Sequence, residues 1–391
     1  MKFTLNKWTN GLVPAILLYI SLGLIYCWSM IKGEVAYVMG CATSEIEIAF
    51  SLSLLCLGLT AMFAGRLVDY NEKLSAGIST LLFGAGMCGS IYAITNGIPW
   101  LFILMYGVVQ GIALGIGYLS PIKTLMKWFD DRKGIALGLA LMAFASSKII
   151  FSPIVDSLLN EHHVVFVMFI LGMIGIILMC IATLLLKAPC DIEHEKFRWK
   201  DFKKNILNIK YISIWGMILF ITASSVAVIS YEKEMLLHID IIRVTLAITL
   251  LAVCNVLGRL IMPVVTNRIH IKENSYVYML FFCVLVVVIA MIKLNPVTLL
   301  LMMAIANFCY GGAYGSVPIL LHDKFGYKHM SLLHGIILGA WAIGGFFGNM
   351  FANFLFELLG SGGHIELIRK FFVFYMVAFI IFYSGMFNDK K

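Results

Sequence analysis

Two cationic side chains lie inside long apolar runs of the sequence. Arg259 stands about eight residues, roughly 12 Å along a helix, from the polar end of the run 244–265, and Lys148 stands about fourteen residues, roughly 21 Å, into the run 135–156. A charge buried in lipid costs at least ~3 kcal/mol unless water, a partner or a ligand compensates it. The 21 Asp and Glu residues all fall in connections or within about a turn of a run's end. An anion is therefore the expected counter-charge.

The two cations suggest different roles. A guanidinium binds a carboxylate through two parallel hydrogen bonds, so Arg259 is the predicted anchor of the anion. The alternative for Arg259 is a structural bond to helix carbonyls, and the alternative for Lys148 is a side chain that extends to the membrane interface. By helical rise Lys148 lies ~9 Å farther out than Arg259, so it serves either an outer part of the pathway or the same site. The nearest titratable candidate is His322, for which a position at a loop edge is the simpler interpretation.

The composition indicates what kind of elements hold these residues. Of the 391 residues, 61% are hydrophobic and 13% are charged, whereas a soluble domain carries about 25% charged residues. A water-soluble fold is therefore excluded. A membrane-spanning helix needs about 20 apolar residues. The sequence predicts twelve such helices, near 11–31, 45–64, 75–94, 99–121, 135–156, 164–186, 211–231, 244–265, 275–292, 297–321, 334–356 and 371–387.

The connections between the runs predict topology and exclude several classes. Most of the 29 Lys and Arg residues lie in alternate connections, which places both termini in the cytoplasm of a multi-pass cell-membrane protein. Because these cations are not gathered on one face, nucleic acid is not an expected partner. The nine cysteines have no paired spacing, and the adjacent His162 and His163 have a poor geometry for a metal. We expect no metal, no cofactor, no catalytic residues and no enzymatic activity.

Two equivalent halves are indicated by short internal repeats. The segment GIALG at 134–138 recurs as GIILG at 335–339, and Gly115, Tyr118 and Phe129 align without gaps to Gly311, Tyr314 and Phe325. The longest polar stretch, residues 188–210, lies between the halves. The predicted organisation is an N-terminal six-helix half at 1–187, a cytoplasmic linker at 188–210 and a C-terminal six-helix half at 211–391.

Several motifs resemble those of a known family. The loop GRLVDYNEK at 65–73 is similar to the conserved loop of the major facilitator superfamily. GLIYCWS at 23–29, GIGYLSP at 115–121 leading into KWFDDRKG at 127–134, and NVLGR at 255–259 are similar to the oxalate:formate antiporter family within it. The resemblance implies an all-α polytopic membrane protein with the major facilitator fold, in which twelve transmembrane helices form two six-helix halves.

The resemblance also implies which residues bind and gate. The substrate would contact Arg259 and Asn255 and lie among aromatic side chains, with Lys148 as an additional candidate; the aromatic residues are Tyr26, Trp28, Tyr118, Tyr310, Tyr314 and Trp341. Trp341 stands where oxalate-transporting members have a lysine, which favours a monocarboxylate over oxalate. A cytoplasmic latch would involve Gly65, Arg66 and Asp69, with Lys127 or Arg132 supplying the cation. For the aromatic residues the alternative is helix packing, and for the loop charges it is simple solvation.

The predicted function is secondary transport of a small organic anion by alternating access, with exchange of one anion for another. The expected partners are this anion and the lipid bilayer, and we expect a monomer. The alternatives are a transporter or exporter of a sugar, nucleoside or drug-like solute, and a transporter-like nutrient sensor. A proton-driven exporter usually relies on a membrane acid and a sensor on a long cytoplasmic tail, and the sequence shows neither.

Overall fold

The computed structural model describes residues 6–189, 199–232, 235–236, 244–292, 295–326, 330–359 and 363–387. Every regular element within these ranges is helical. The α-helices are α1 (Val13–Leu22), α2 (Trp28–Met39), α3 (Thr43–Tyr70), α4 (Glu72–Thr95), α5 (Pro99–Phe102), α6 (Gln110–Leu119), α7 (Ile122–Trp128), α8 (Lys133–Glu161), α9 (Val164–Leu185), α10 (Trp199–Ile206), α11 (Ile209–Ser230), α12 (Val244–Arg268), α13 (Lys272–Ile292), α14 (Pro296–Phe325), α15 (Met330–Leu359) and α16 (Gly363–Phe387).

Short π- and 3₁₀-helical segments join some of these helices into continuous spans. Trp8–Leu12 and Ile103–Val109 are π-helical, and Gly23–Cys27 is a 3₁₀ segment between α1 and α2. In the described part of the chain, 12 helices are long and apolar enough to cross a membrane. The predicted all-α fold with twelve spans is confirmed. Residues 190–198 of the predicted linker lie outside the described residues, and α10 occupies part of the remainder.

The chain forms two compact units. The first comprises residues 1–196 and 329–342, and the second comprises residues 197–328 and 343–391. The predicted halves at 1–187 and 211–391 remain a prediction.

Glycines position the helices of the first unit. In the fourth span, Gly107, Gly111 and Gly115 lie one turn apart and pack on α3, where a Cβ added at Gly111 would lie 2.7 Å from the Cβ of Cys56. Near the C-terminal end of α3, a Cβ at Gly65 would lie 2.7 Å from the Cα of Leu332 and 2.8 Å from its nitrogen. Side chains of any size at these positions would separate the helices.

The second unit is built around a close contact of α12 with α14. A Cβ added at Gly311 would lie 3.0 Å from the carbonyl carbon of Asn255, and one at Gly315 would lie 3.0 Å from the carbonyl oxygen of Arg259. The side chain of Asn295 caps α14 in a reciprocal capping box with Thr298, which fixes where the helix begins. This contact between α12 and α14 positions Asn255, Arg259 and Tyr310.

Candidate functional site

Arg259 is buried in the second unit. Its side chain is 2% exposed. The Nε group donates a hydrogen bond to Oδ1 of Asn255, one turn earlier on α12, at 3.1 Å. The guanidinium carbon lies 5.9 Å from the centre of the Tyr310 ring on α14, a distance at which a cation is attracted to the ring face. Three of the predicted substrate residues, Arg259, Asn255 and Tyr310, therefore form one cluster, and the cation does not face lipid.

The aromatic part of the cluster extends along α14. The rings of Tyr310 and Tyr314 meet edge to face with centres 5.0 Å apart, and both side chains are buried. The Tyr314 hydroxyl is in hydrogen-bond contact with the hydroxyl of Thr222 on α11. Thr222, which the sequence analysis did not select, therefore fixes the orientation of the Tyr314 ring.

A buried carboxylate lies at the same contact between helices. Glu232 follows the end of α11 and is 4% exposed. Its Oε1 accepts a hydrogen bond of 2.6 Å from Nδ2 of Asn307, which is about 16 Å along α14 from its first residue. The prediction that every acidic residue lies in a connection or within about a turn of a span end holds for Glu232, which is two residues beyond α11. The sequence does not indicate its burial, which arises from the contact with α14.

The predicted residues of the first unit lie in two groups. The Tyr118 ring is buried against Tyr19 at 5.4 Å and Phe144 at 5.6 Å between centres, and Tyr26 meets the same Phe144 ring at 5.2 Å. Lys148 is half-buried on α8 and is an electrostatic neighbour of the Cys27 thiol, next to Tyr26. Lys148, Tyr26 and Tyr118 therefore share one region of this unit.

Trp28 belongs to a separate aromatic cluster. Its ring is buried and stacks near Phe102 and Tyr106, with centres 6.0 and 5.0 Å away. Its indole nitrogen donates to Glu47 Oε2 at 3.3 Å, and the same oxygen lies 3.1 Å from Lys32 Nζ. The indole of Trp28 is therefore held by Phe102, Tyr106 and Glu47, and its contact with a substrate stays a prediction.

The first part of α15 also belongs to the first unit. Trp341 on this segment is buried. Two turns earlier on the same helix, His334 is 1% exposed, and its ring centre is 6.3 Å from that of Tyr118. Among the described residues, neither ring nitrogen of His334 has a hydrogen-bond partner. His322, the titratable candidate predicted from the sequence, is half-buried near the end of α14.

The predicted latch contains an ion pair. Asp69 Oδ1 accepts a hydrogen bond from Lys123 Nζ at 2.7 Å, with 22% and 15% of the two side chains exposed. Lys123 is on α7, one turn before the predicted partner Lys127. The sequence did not distinguish the two lysines, because both lie just before the same loop. The other predicted cation, Arg132, lies 3.5 Å from its neighbour Asp131, and both are largely exposed. Arg66 is exposed, whereas Gly65 is buried against α15.

Comparison with curated sequences found relatives that span most of the chain. The "Uncharacterized MFS-type transporter YhjX" of Escherichia coli is 25% identical over 348 residues, which cover 87% of this chain and 86% of the relative. The "Oxalate:formate antiporter" of Oxalobacter formigenes is 24% identical over 394 residues, which cover 96% of this chain and 92% of the relative.

Comparison with solved structures agrees with the sequence relatives. The outward conformation of the transporter FucP superposes with a TM-score of 0.71 at 14% identity, covering 97% of this chain and 98% of that one. At this identity the likeness shows the fold. A family model described as Major Facilitator Superfamily matches residues 12–349. The chain therefore belongs to the major facilitator superfamily, and it is a membrane-embedded transporter of a small solute.

Proposed function

We propose that this transporter carries a small organic anion, with Arg259 as the residue that binds its carboxylate. The observation that supports the proposal is a guanidinium 2% exposed, held by Asn255 and covering the Tyr310 ring. A planar guanidinium matches a carboxylate in shape and charge and can bind it through two parallel hydrogen bonds. The similarity to the oxalate:formate antiporter supports the same class of substrate.

The second unit supplies the inner surface of the proposed site. The rings of Tyr310 and Tyr314 form an apolar wall beside Arg259, and Thr222 holds the Tyr314 ring in place. An aromatic wall favours the organic part of an anion, whereas an inorganic anion gains little from it. Trp341, where oxalate-transporting members have lysine, removes the second cation that a dicarboxylate would use. A monocarboxylate is therefore the proposed substrate.

The proposed transport cycle is alternating access in the cell membrane, with both termini cytoplasmic. The six-helix halves 1–187 and 211–391 rock about the anion site, and binding neutralises Arg259 so that the site can close. The proposed mode is exchange of one anion for another, as in the oxalate:formate antiporter to which the chain is similar. Lys148 and the rings of Tyr26 and Tyr118 would line the part of the pathway that the first unit supplies, and Asp69 would hold the cytoplasmic latch.

A second candidate gains support from Glu232. The sequence disfavours a proton-driven transporter of a sugar or nucleoside because no acid lies in midspan, and the buried carboxylate of Glu232, just beyond the end of α11, weakens that objection. A neutral solute would, however, leave the charge of Arg259 without a role in binding. The two candidates therefore differ in whether Arg259 determines the class of substrate.

Counterflow in proteoliposomes tests the proposed function. Vesicles containing the purified protein are loaded with unlabelled solute, and uptake of labelled formate, lactate, pyruvate, oxalate, a sugar and a nucleoside is measured. We expect counterflow of a monocarboxylate that is lost in Arg259→Gln. The matched control is Arg268→Gln, which makes the same change at the end of the same helix. Anion counterflow by a correctly inserted Arg259→Gln protein, or counterflow of only the neutral solutes, would contradict the proposal.

A further inference from the structure

The short helix α10 exposes apolar and cationic side chains on one face. Trp199, Lys203 and Leu207 are spaced four residues apart, and residues at this spacing lie along one face of a helix. The amide of Leu207 donates to the carbonyl of Lys203 at 3.1 Å, so the helical path includes Leu207. Trp199 is 68% exposed and Leu207 is 64% exposed, with the exposed Lys203 between them. Phe202, by contrast, is buried and contacts the Trp199 ring edge to face at 5.8 Å between centres.

The start of α11 limits how far this face lies from the bilayer. Two residues separate α10 from Ile209, where α11 and a candidate membrane span both begin. The side chain of Asn208 accepts a hydrogen bond from the amide of Lys210 at 2.9 Å, which fixes where α11 begins. A connection of this length reaches at most ~11 Å. The polar layer of each leaflet is ~5–8 Å thick, so α10 lies at the membrane surface.

The charge of the segment around α10 is complementary to an anionic surface. Six Lys or Arg residues and one acidic residue, Asp201, occur between residues 196 and 210. Lys203 and Lys204 are both exposed in the last turn of α10. A lysine close to an anionic membrane contributes about 1 kcal/mol, which is about a fivefold preference for that surface. The two lysines together therefore favour anionic over zwitterionic lipid.

We propose that α10 is a binding surface for anionic phospholipids. Trp199 and Leu207 enter the boundary between headgroups and acyl chains, where a tryptophan ring is well accommodated. Lys203 and Lys204 extend their ammonium groups to the headgroup phosphates. A lipid matches both parts of this face, whereas free phosphate would match only the lysines. The inference does not depend on the substrate proposed for Arg259, and the predicted cytoplasmic position of the linker agrees with it, because the cytoplasmic leaflet carries anionic lipid.

Quenching of Trp199 fluorescence by brominated lipid tests the proposal. The full-length protein is placed in nanodiscs of phosphatidylcholine that contain one-fifth phosphatidylglycerol. Bromine is carried on the upper acyl chain of either the phosphatidylglycerol or an equal amount of the phosphatidylcholine. The contribution of Trp199 is the difference between the wild type and Trp199→Phe. We expect brominated phosphatidylglycerol to quench Trp199 at least about twofold more strongly than brominated phosphatidylcholine, because the two lysines enrich the anionic lipid beside this ring.

Two perturbations should remove this preference. In the double variant Lys203→Gln/Lys204→Gln, the ratio of quenching by the two lipids should fall to about one. The matched control is Lys187→Gln/Arg268→Gln, which removes two exposed cations at the ends of other spanning helices and should keep the wild-type ratio. In the wild type, raising NaCl from about 50 mM to about 500 mM shortens the Debye length from about 14 Å to about 4 Å, so the ratio should also approach one. The salt titration needs no variant to insert.

Four results would overturn the inference. Equal quenching of wild-type Trp199 by the two brominated lipids would show that α10 does not select anionic lipid. No quenching by either lipid would show that something else, such as a second copy of this chain, covers the face. A ratio that survives both the lysine substitutions and high salt would show that charge does not set it. Loss of the preference on adding inorganic phosphate at constant ionic strength would show that the lysines bind free phosphate instead of headgroups.

Discussion

Replacing Arg259 by lysine keeps the positive charge and removes the planar fork. A lysine has no atom equivalent to Nε, so the 3.1 Å hydrogen bond to Asn255 is lost, and its ammonium group cannot present two parallel donors. The variant would therefore lose one of the two proposed hydrogen bonds to the carboxylate of the anion. A hydrogen bond between charged groups is worth ~1.5–3 kcal/mol, and each 1.4 kcal/mol is a factor of ten in affinity. The expected rise in the half-saturating anion concentration is therefore about 10- to 140-fold.

The assay is counterflow of the best monocarboxylate over a range of concentrations, with Arg268→Lys as the matched change on α12. Arg259→Lys should keep measurable transport at high anion concentration, whereas Arg259→Gln should lose it at every concentration. A half-saturating concentration of Arg259→Lys equal to that of wild type would show that the guanidinium does not contact the anion through two parallel hydrogen bonds. Equal loss in the lysine and glutamine variants would show that geometry, rather than charge, controls the site.

Three further changes test other parts of the structure. Asp69→Asn should lower the initial rate of counterflow about fivefold, because the partly buried ion pair with Lys123 is worth about 1 kcal/mol. The double variant with lysine at 69 and aspartate at 123 should restore most of the rate, and a double variant as slow as Asp69→Asn would contradict a simple ion pair. Gly311→Ala places a methyl group against the carbonyl of Asn255 and should cost about 1–3 kcal/mol, measured as a lower Tm, whereas Gly33→Ala, with no atom within 4 Å of an added Cβ, should not. Trp341→Ala should raise oxalate counterflow relative to that of the monocarboxylate, and unchanged selectivity would show that this side chain lies outside the pathway.

The fold followed from the sequence because lipid imposes a strong and local constraint. An apolar run of about 20 residues has few structures available in a bilayer other than a helix, so run length and polar breaks predicted the twelve spans. The contact of Arg259 with Asn255 could be predicted from the sequence for a similar reason, since residues four apart share one face of a helix. Both predictions use only neighbours along the chain.

Glu232 and Lys123 show where this reasoning stops. Position along the chain placed Glu232 at a span end and therefore near the surface, but its burial depends on α14, which supplies Asn307 from 75 residues away. Lys123 and Lys127 are one turn apart before the same loop, and only the packing of α7 beside the end of α3 brings Lys123 to Asp69. The partner of a charge is decided by tertiary contacts that spacing in one sequence does not encode.

Anion binding by the purified protein tests the central claim most directly. Titration of formate, lactate and pyruvate into the wild type, Arg259→Gln and Arg268→Gln would be followed by calorimetry and by the rise in Tm that a bound ligand produces. We predict saturable binding of at least one monocarboxylate to the wild type and to Arg268→Gln, and none to Arg259→Gln. Equal affinity in the wild type and the Arg259→Gln protein would contradict the assignment of Arg259 as the anion-binding residue.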